Sequence, residues 1–413
     1  MDYGRNGATP KKPQTINNVN NWRENYRILV SESHSIGSLA VIRSLGRAGY
    51  PVIAASPQPD ALGFHSRYCK TSLIQPGYDE DDKLSAWLDT LLEDRSIRLI
   101  IPSEAFLLAI RPRFTEFRHI LPVPQDESLV YGAISKFDLF QASVEGGLVD
   151  NLPPFLLIAS DGVACSEAEL RALGEPLFLK VDAIHARNGG SGAVYKCETA
   201  AVALRKLDSL RAGYRKILVQ GHVDGIGVGA FLAQWHNQTL AEFMHRRIHE
   251  VPHWGGASSF RESWKHAAIL EDARARMAHM SWEGVGMWEY RWNPGAGKFH
   301  LMEFNSRFWG SLHLALFANV DFPRLLADAI FDHPNPPVTN YPPTRCRLTF
   351  PKEVEYIFSR LKDKSLPWSS RLSPIAEFIT LGLDPRVHSD LNFPGDRLLY
   401  GRMMVRSIRR FLS

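Results

Sequence analysis

The chain has 413 residues, long enough for a substantial core and about two or three domains. With 45% apolar and 22% charged residues, its composition is that of a soluble globular enzyme. The 48 Lys plus Arg against 44 Asp plus Glu give a formal charge of +4, which excludes a charge-based argument for a nucleic-acid partner in the absence of a long basic tract or zinc-finger spacing.

Residues 1–22, rich in Asn, Lys and Gly, read as a flexible leader without a signal-peptide hydrophobic region. No apolar run is long enough to span a membrane, so a cytoplasmic location with no membrane partner is expected. Residues 26–30 predict a first strand, and a polar connection over 31–37 leads into a helix whose periodicity runs through Leu39, Ile42 and Leu45 to Ala48. Gly49 can close that helix before a second strand at 51–55, giving a strand, helix, strand unit of an α/β layer. A later strand at 98–102 ends on Ser103 and Glu104, an edge suited to ligand contacts. The spacing of Gly37, Gly46 and Gly49 matches no GxGxxG, so a dinucleotide site is not supported, and His34 and His65 read as structural or surface residues. Cys69, Cys165, Cys197 and Cys346 are dispersed without a CxxC unit, which favours reduced thiols over disulfides or metal ligands.

Ser135-Lys136 opens a predicted helix containing Phe137, Leu139 and Phe140; a turn at 151–154 precedes a strand at 155–158, and the strand 177–180 ends on Lys180. Two separated lysines suit different phosphate oxygens of one nucleotide, although either alone also fits a surface ion pair. In the next segment Gly189, Gly190 and Gly192 allow close backbone approach and Ser191 adds a donor, beside Asn188; a plain surface turn explains these residues equally well in isolation. The pattern is not GxxxxGK[ST], so it is not a P-loop. After a strand at 216–220, backbone groups around Gln220, Gly221, His222 and Val223 could border an adenine edge, or simply form a hairpin turn.

Downstream, Arg247 and Arg261 are candidates to anchor a substrate carboxylate, with a surface charge cluster as the alternative. His245, His249 and His253 lie near Glu250 but match no HExxH, which points to structural or substrate contacts over zinc. Trp282, Trp288, Trp292 and Trp309 read as core and hairpin packing. The most informative stretch is Glu289 with the segment Glu303-Phe304-Asn305-Ser306-Arg307. Two-residue periodicity puts Glu303, Asn305 and Arg307 on one face and Phe304 on the other, and the turn at 293–297 brings Glu289 opposite the second carboxylate. Such oxygen ligands suit magnesium shared with phosphates, whereas Arg307 stabilises an anion and cannot act as a base. A solvated hairpin face with one ion pair would also fit these residues alone. A helix, turn and helix to Ile330 follow, then prolines at 334, 336, 337, 342 and 343, and a C-terminal α+β or helical extension with a basic end near Arg406, Arg409 and Arg410.

Taken in order, the Gly-Arg-Ala-Gly at 46–49, Ser135-Lys136, Phe178-Leu179-Lys180, the 188–192 glycine loop, Val219-Gln220, Glu289 and the ExNxR-like 303–307 segment resemble the ATP-grasp superfamily over roughly residues 26–330. The likeness is greatest to carboxylate-amine ligase-like members and the ATP-binding domain of the carbamoyl-phosphate synthetase large chain. The resemblance implies an α/β and α+β chain. It would comprise an N-terminal Rossmann-like pre-ATP-grasp domain (23–125), a lid with a central antiparallel-sheet catalytic domain (126–335) and a small C-terminal extension (336–413). By the same resemblance Lys136 and Lys180 bind ATP phosphates, the 188–192 loop covers them, and Gln220 to Val223 border adenine. Glu289, Glu303 and Asn305 would hold Mg2+, with Mn2+ as a substitute. Arg307 and Lys180 would serve catalysis, and Glu104, Arg247, Arg261 and Arg307 would contact substrate.

The implied reaction activates a carboxylate as an acyl phosphate and joins it to an amine. Partners would be a small-molecule acid and amine, in a chain that could be a homo-oligomer. Gly227 stands where many relatives carry a ribose-binding glutamate, so ribose contact must be rearranged or the alignment shifts locally. A catalytically weak ATP sensor, a non-amine acceptor and a structural interaction protein remain the alternatives.

Overall fold

The computed structural model describes residues 22–412 apart from 160, 161, 163, 164, 188 and 254, and for 406–412 gives the helix without its side chains. The expected leader therefore lies outside the described residues except for Trp22, as do Asn188 and the side chains of Arg406, Arg409 and Arg410.

Four strands, β1 (Arg27–Val30), β2 (Val52–Ser56), β3 (Thr71–Ile74) and β4 (Ile97–Ile101), form a parallel sheet in the order β3-β2-β1-β4. Covered on both faces, β2 is buried at all five positions, which explains its unbroken apolar run. The helix Ile36–Ala48 crosses between β1 and β2. Ser35 caps it by accepting from the Ser38 amide, and Gly49 ends it at φ 103°, a conformation that disfavours a side chain. Leu39, Ile42 and Leu45 are all fully buried, as the periodicity predicts.

A second, antiparallel sheet orders β5 (Phe155–Ala159), β6 (Leu177–Val181), β7 (Ala193–Cys197) and β8 (Lys216–Gly221) as β5-β8-β6-β7, with the helix Ala200–Arg211 packed on it. The largest sheet has seven strands: β9 (Ile226–Trp235), β10 (Gln238–Val251), β11 (Ala257–Ser263), β12 (Gly284–Asn293), β13 (Lys298–Asn305), β14 (Arg345–Arg347) and β15 (Val387–Ser389). Their order is β13-β12-β9-β10-β11-β14-β15. The mixed α/β and α+β architecture expected from sequence is thus present.

The segment after residue 336 does more than trail the sheet: β14 pairs with β11, and β15 lies parallel to β14. Two C-terminal carboxylates enter the core. Asp396 accepts from Arg43 Nε at 2.9 Å, Ser66 Oγ at 2.8 Å and the Arg67 amide at 3.0 Å, while Asp390 pairs with Arg261. Arg43 also donates to the carbonyls of Asp390 and Leu391, so one fully buried guanidinium ties the N-terminal helix to the C-terminal segment. No helix among the described residues is long and apolar enough to cross a membrane.

Candidate active site

β12 and β13 form a hairpin in which Glu289 stands directly opposite Glu303 and Met287 opposite Asn305. Phe304 turns to the other face, its ring 4.3 Å from Trp288 and 5.3 Å from Trp282, both fully buried. That apolar anchor fixes the strand's rotation, and with it the direction of the two neighbouring polar side chains. The Asn305 amide donates to Glu303 at 2.9 Å. Arg307, just past the strand, donates to Asn305 Oδ1 at 3.3 Å and lies 3.5 Å from Glu104.

Lys136, at the start of the helix Lys136–Glu145, reaches Glu303 at 3.5 Å and Asp182 at 3.7 Å. Lys180, on β6, donates to Gln220 Oε1 at 2.6 Å and to the Met302 carbonyl at 3.5 Å. From β10, Arg247 pairs with Glu289 at 2.5 Å and Glu250 at 3.1 Å. The second and third sheets and the helix at Lys136 therefore deliver these groups to a single cavity of about 1070 Å3, also lined by His222, Val223 and Arg261.

Burial sets the charge states. Desolvation pushes the Lys180 ammonium down to about 8, with Glu303 opposing and Lys136 adding to the depression. Burial raises the Glu289 carboxyl despite Arg247; at Glu303, burial acts upward but Lys136, Asn305 and Lys180 together hold the carboxyl below its ordinary value. Of the two facing carboxyls, Glu303 is thus held down and Glu289 pushed up. Two carboxylates and an amide oxygen on one strand pair form a hard oxygen donor set that fits a divalent cation, and each carboxylate already draws a cationic side chain to the place where positive charge is wanted.

Among solved structures, the chain superposes on an L-amino acid ligase from Bacillus licheniformis with a TM-score of 0.56 at 12% identity, covering 74% of each chain. An N5-carboxyaminoimidazole synthetase from Staphylococcus aureus complexed with ADP gives 0.58 at 14% identity, covering 78% of this chain and 81% of that one. Biotin carboxylase from Campylobacter jejuni gives 0.58 at 14% identity, over 75% and 72%. The chain has the ATP-grasp fold. No protein-family model and no curated protein matches it.

Within the ATP-grasp frame, the other sequence-derived positions fall in distinct places. In the 189–192 loop, Gly189 adopts φ 70°, and the Ser191 carbonyl accepts from the Tyr214 hydroxyl at 2.7 Å; Gly190 and Gly192 complete a loop that does not line the cavity. Gly221 is demanded by packing: a Cβ there would sit 2.0 Å from the Leu173 carbonyl oxygen. Gly227 likewise makes room, since its Cβ would come 2.6 Å from Glu250 and 2.7 Å from Arg247. Arg261 lines the cavity, with its guanidinium held by Asp390 from behind.

Sequence reading assigned no role to several contributors. Asp182 accepts from the Lys136 amide at 2.8 Å and so caps the lysine-bearing helix; Glu250 bridges Arg247 and Arg291 at 3.1 and 3.3 Å. Lys352, from the C-terminal part, and Ile36, from the first helix, also reach the cavity, and neither carries a local motif. His245 is buried against the cavity with an edge-on contact to Phe231 at 4.7 Å. His249 pairs with Glu353 at 3.1 Å and stacks on Tyr356, while His253 pairs with Asp363 at 3.0 Å. His249 and His253 thus make structural contacts, whereas both ring nitrogens of His245 are buried beside the cavity without a hydrogen-bond partner; no group of three His, Cys, Asp or Glu among the described residues is placed to hold a metal.

Proposed function

We propose that the protein is an ATP-dependent ligase that activates a carboxylate as an acyl phosphate and joins it to an amine. The reading rests chiefly on one observation: Lys136, Lys180, Glu289, Glu303, Asn305 and Arg307 converge on one cavity within the ATP-grasp fold. In this reading Lys136 and Lys180 neutralise ATP phosphates, Phe178 and Met302 cover the adenine faces, and backbone groups from Gln220 to Val223 meet its edge. The 188–192 loop would have to move inward to cover the phosphates. Glu289, Glu303 and Asn305 would hold Mg2+ or Mn2+, which supplies charge neutralisation of the triphosphate. Arg307 stabilises charge that grows on the substrate, with Glu104 orienting it, and Arg247 and Arg261 anchor the acid.

A substrate carboxylate oxygen attacks the γ-phosphorus and ADP leaves; the amine then attacks the activated carbonyl, and phosphate departs. Similarity to an L-amino acid ligase supports an amine acceptor, and similarity to an ADP-complexed synthetase supports the nucleotide. The organisation that accompanies the reading is an N-terminal domain over 23–125, lid and catalytic parts over 126–335 and a C-terminal unit over 336–413.

A mass-resolved reaction screen tests the proposal with ATP, magnesium, a panel of carboxylates and paired amines. ADP together with an acid-plus-amine product lacking one water is expected; ADP without a joined product calls for another acceptor. The second reading, a nucleotide sensor, draws on the Arg247–Glu289 pair at 2.5 Å, which already occupies one proposed metal ligand. It requires ATP binding without turnover for every acid tested.

Two further outcomes follow from the geometry. With no side chain at Gly227 to contact ribose, and Glu250 beside it engaged by Arg247 and Arg291, Asp224 on the cavity rim is the available carboxylate, so Asp224→Asn is expected to raise the Kd for ADP about threefold to tenfold by calorimetry. An unchanged Kd would remove it from the nucleotide site. Because the protonated Lys180 attracts phosphate, ATP affinity is expected to fall as pH rises through about 8, by at most about tenfold per unit for one proton. Bound phosphate raises that pKa, so association takes up a proton near pH 8 and its heat depends on the buffer. Flat affinity from about pH 7 to 9, with no buffer dependence, would detach Lys180 from the phosphates.

A further inference from the structure

His245 stands on β10 in register with Gly229 of β9; Gly229 in turn pairs with Glu289 of β12, itself opposite Glu303. Directly paired residues of antiparallel strands share a face, so the imidazole belongs to the same row as the two carboxylates. Gly229 leaves that row open in the middle. A Cβ there would come 3.3 Å from His245 Nε2, which puts this nitrogen beside the glycine, about 5 Å, one strand spacing, from the Glu289 position. The ring lines the cavity, is 1% exposed and is set edge-on by Phe231, yet neither nitrogen has a hydrogen-bond partner. Unmet buried polar atoms are costly, so filling space, which a leucine would do as well, does not explain an imidazole here.

We infer that His245 holds the attacking nitrogen of the acceptor amine, its bare ring nitrogen accepting an amine N–H beside the activated carboxyl. The inference rests on the ligase reading and adds the acceptor's place to it. Burial first, and then the Arg247 and Arg261 guanidiniums, keep the imidazole well below its ordinary range, so it is neutral, with one N–H and one bare nitrogen. Phosphate and carboxylate oxygens only accept, and they leave the bare nitrogen unmet. An unprotonated amine supplies the missing donor and keeps its lone pair for the carbonyl carbon. As the C–N bond forms, the C–O bond to phosphate breaks, and the proton shed by nitrogen leaves on hydrogen phosphate; the histidine orients and need not take it.

Two other ligands fit less well. A metal ion on the bare nitrogen would meet the repulsion of the same two guanidiniums. Adenine offers N–H donors, but in the ligase reading it lies at the Phe178 and Gln220 end of the cavity, on the second sheet. The wall next to His245 is apolar: Phe231 lies 4.3 Å from the Trp309 ring and pairs with Met287, and Met287, Trp309 and Ile36 all line the cavity. The acceptor class that fits is therefore an amine on an apolar carbon skeleton.

Hydroxylamine separates acceptor binding from acid activation, because it traps an acyl phosphate as hydroxamate without needing an acceptor site. With the acid that gives most ATP-dependent hydroxamate and the best amine of the reaction screen, His245→Leu is expected to lower amide formation about 100-fold and hydroxamate formation by less than about threefold. His245→Gln, which restores a polar acceptor, is expected to recover at least about tenfold of the amide rate. Should His245→Leu lower the melting temperature, the glutamine variant decides, and one no faster than leucine overturns the assignment. Equal loss of amide and hydroxamate in a folded variant, no loss of either, or a best acceptor carrying a second positive charge would each overturn it too. A parent chain that forms hydroxamate but no amide removes the amine and this inference alone, whereas a parent chain forming no ATP-dependent hydroxamate with any acid removes the ligase reading and the inference with it.

Discussion

Replacing Glu303 by glutamine is expected to lower ATP turnover by about 10^2- to 10^3-fold while costing far less in ADP affinity. Glu303 has two roles in the cavity: it stands in register opposite Glu289 as half of the proposed metal site, and it lies 3.5 Å from Lys136 while opposing the desolvation that depresses Lys180. The amide keeps the shape and the Asn305 contact region but removes the charge. Lys180 then loses its strongest supporting anion and falls further below about 8, so part of the binding loss should be recovered at lower pH, where the ammonium is restored. Adenine contacts near Gln220 to Val223 are untouched, which is why affinity is the less affected quantity. Steady-state turnover at saturating magnesium, paired with ADP calorimetry at two pH values, reads both effects. Equal turnover in the variant would sink the role of this carboxylate.

Asp396→Ala is expected to destabilise the fold by about 3–5 kcal/mol, although the residue lies far along the chain from every motif. Its carboxylate takes three hydrogen bonds, from Arg43, Ser66 and the Arg67 amide, and it is 4% exposed. Truncation leaves the guanidinium of Arg43 buried without its counter-charge, and an uncompensated buried cation costs far more than the pair contributes. Removing both charges in an Arg43→Met, Asp396→Leu chain should cost less than the two single changes summed, because the stranded ion disappears. Thermal and urea unfolding of the four proteins measures the coupling. Strict additivity, or an Asp396→Ala chain as stable as the parent, would show that the C-terminal segment is not anchored by this pair.

Local features were legible because short-range geometry fixes them. Period-two alternation and a tight turn place Glu289 opposite Glu303 within fifteen residues, Ser135 caps the helix that starts at Lys136, and Gly49 takes the positive φ that ends the first helix. The ordered motifs likewise implied the ATP-grasp fold, which the superpositions bear out. Arg247 was visible as a cation, but its clasp on Glu289 joins strands 42 residues apart. Nothing in the spacing of Asp390 or Asp396 indicates that each closes on an arginine more than a hundred residues earlier, at Arg261 and Arg43.

The sequence by itself determined the opening strand, helix, strand unit, the strands at 155–158, 177–180 and 216–220, and which face of the Glu289–Glu303 hairpin carries its polar groups, since dihedral preference and side-chain alternation act over a few residues. Only the tertiary structure decided that the C-terminal strands extend the central sheet, that Lys352 and Ile36 share a cavity with the lysines, and that the Trp368–Leu383 helix turns its apolar side to solvent. Those outcomes depend on which surfaces meet when the whole chain closes, and burial and long-range ion pairing settle that without leaving a local pattern.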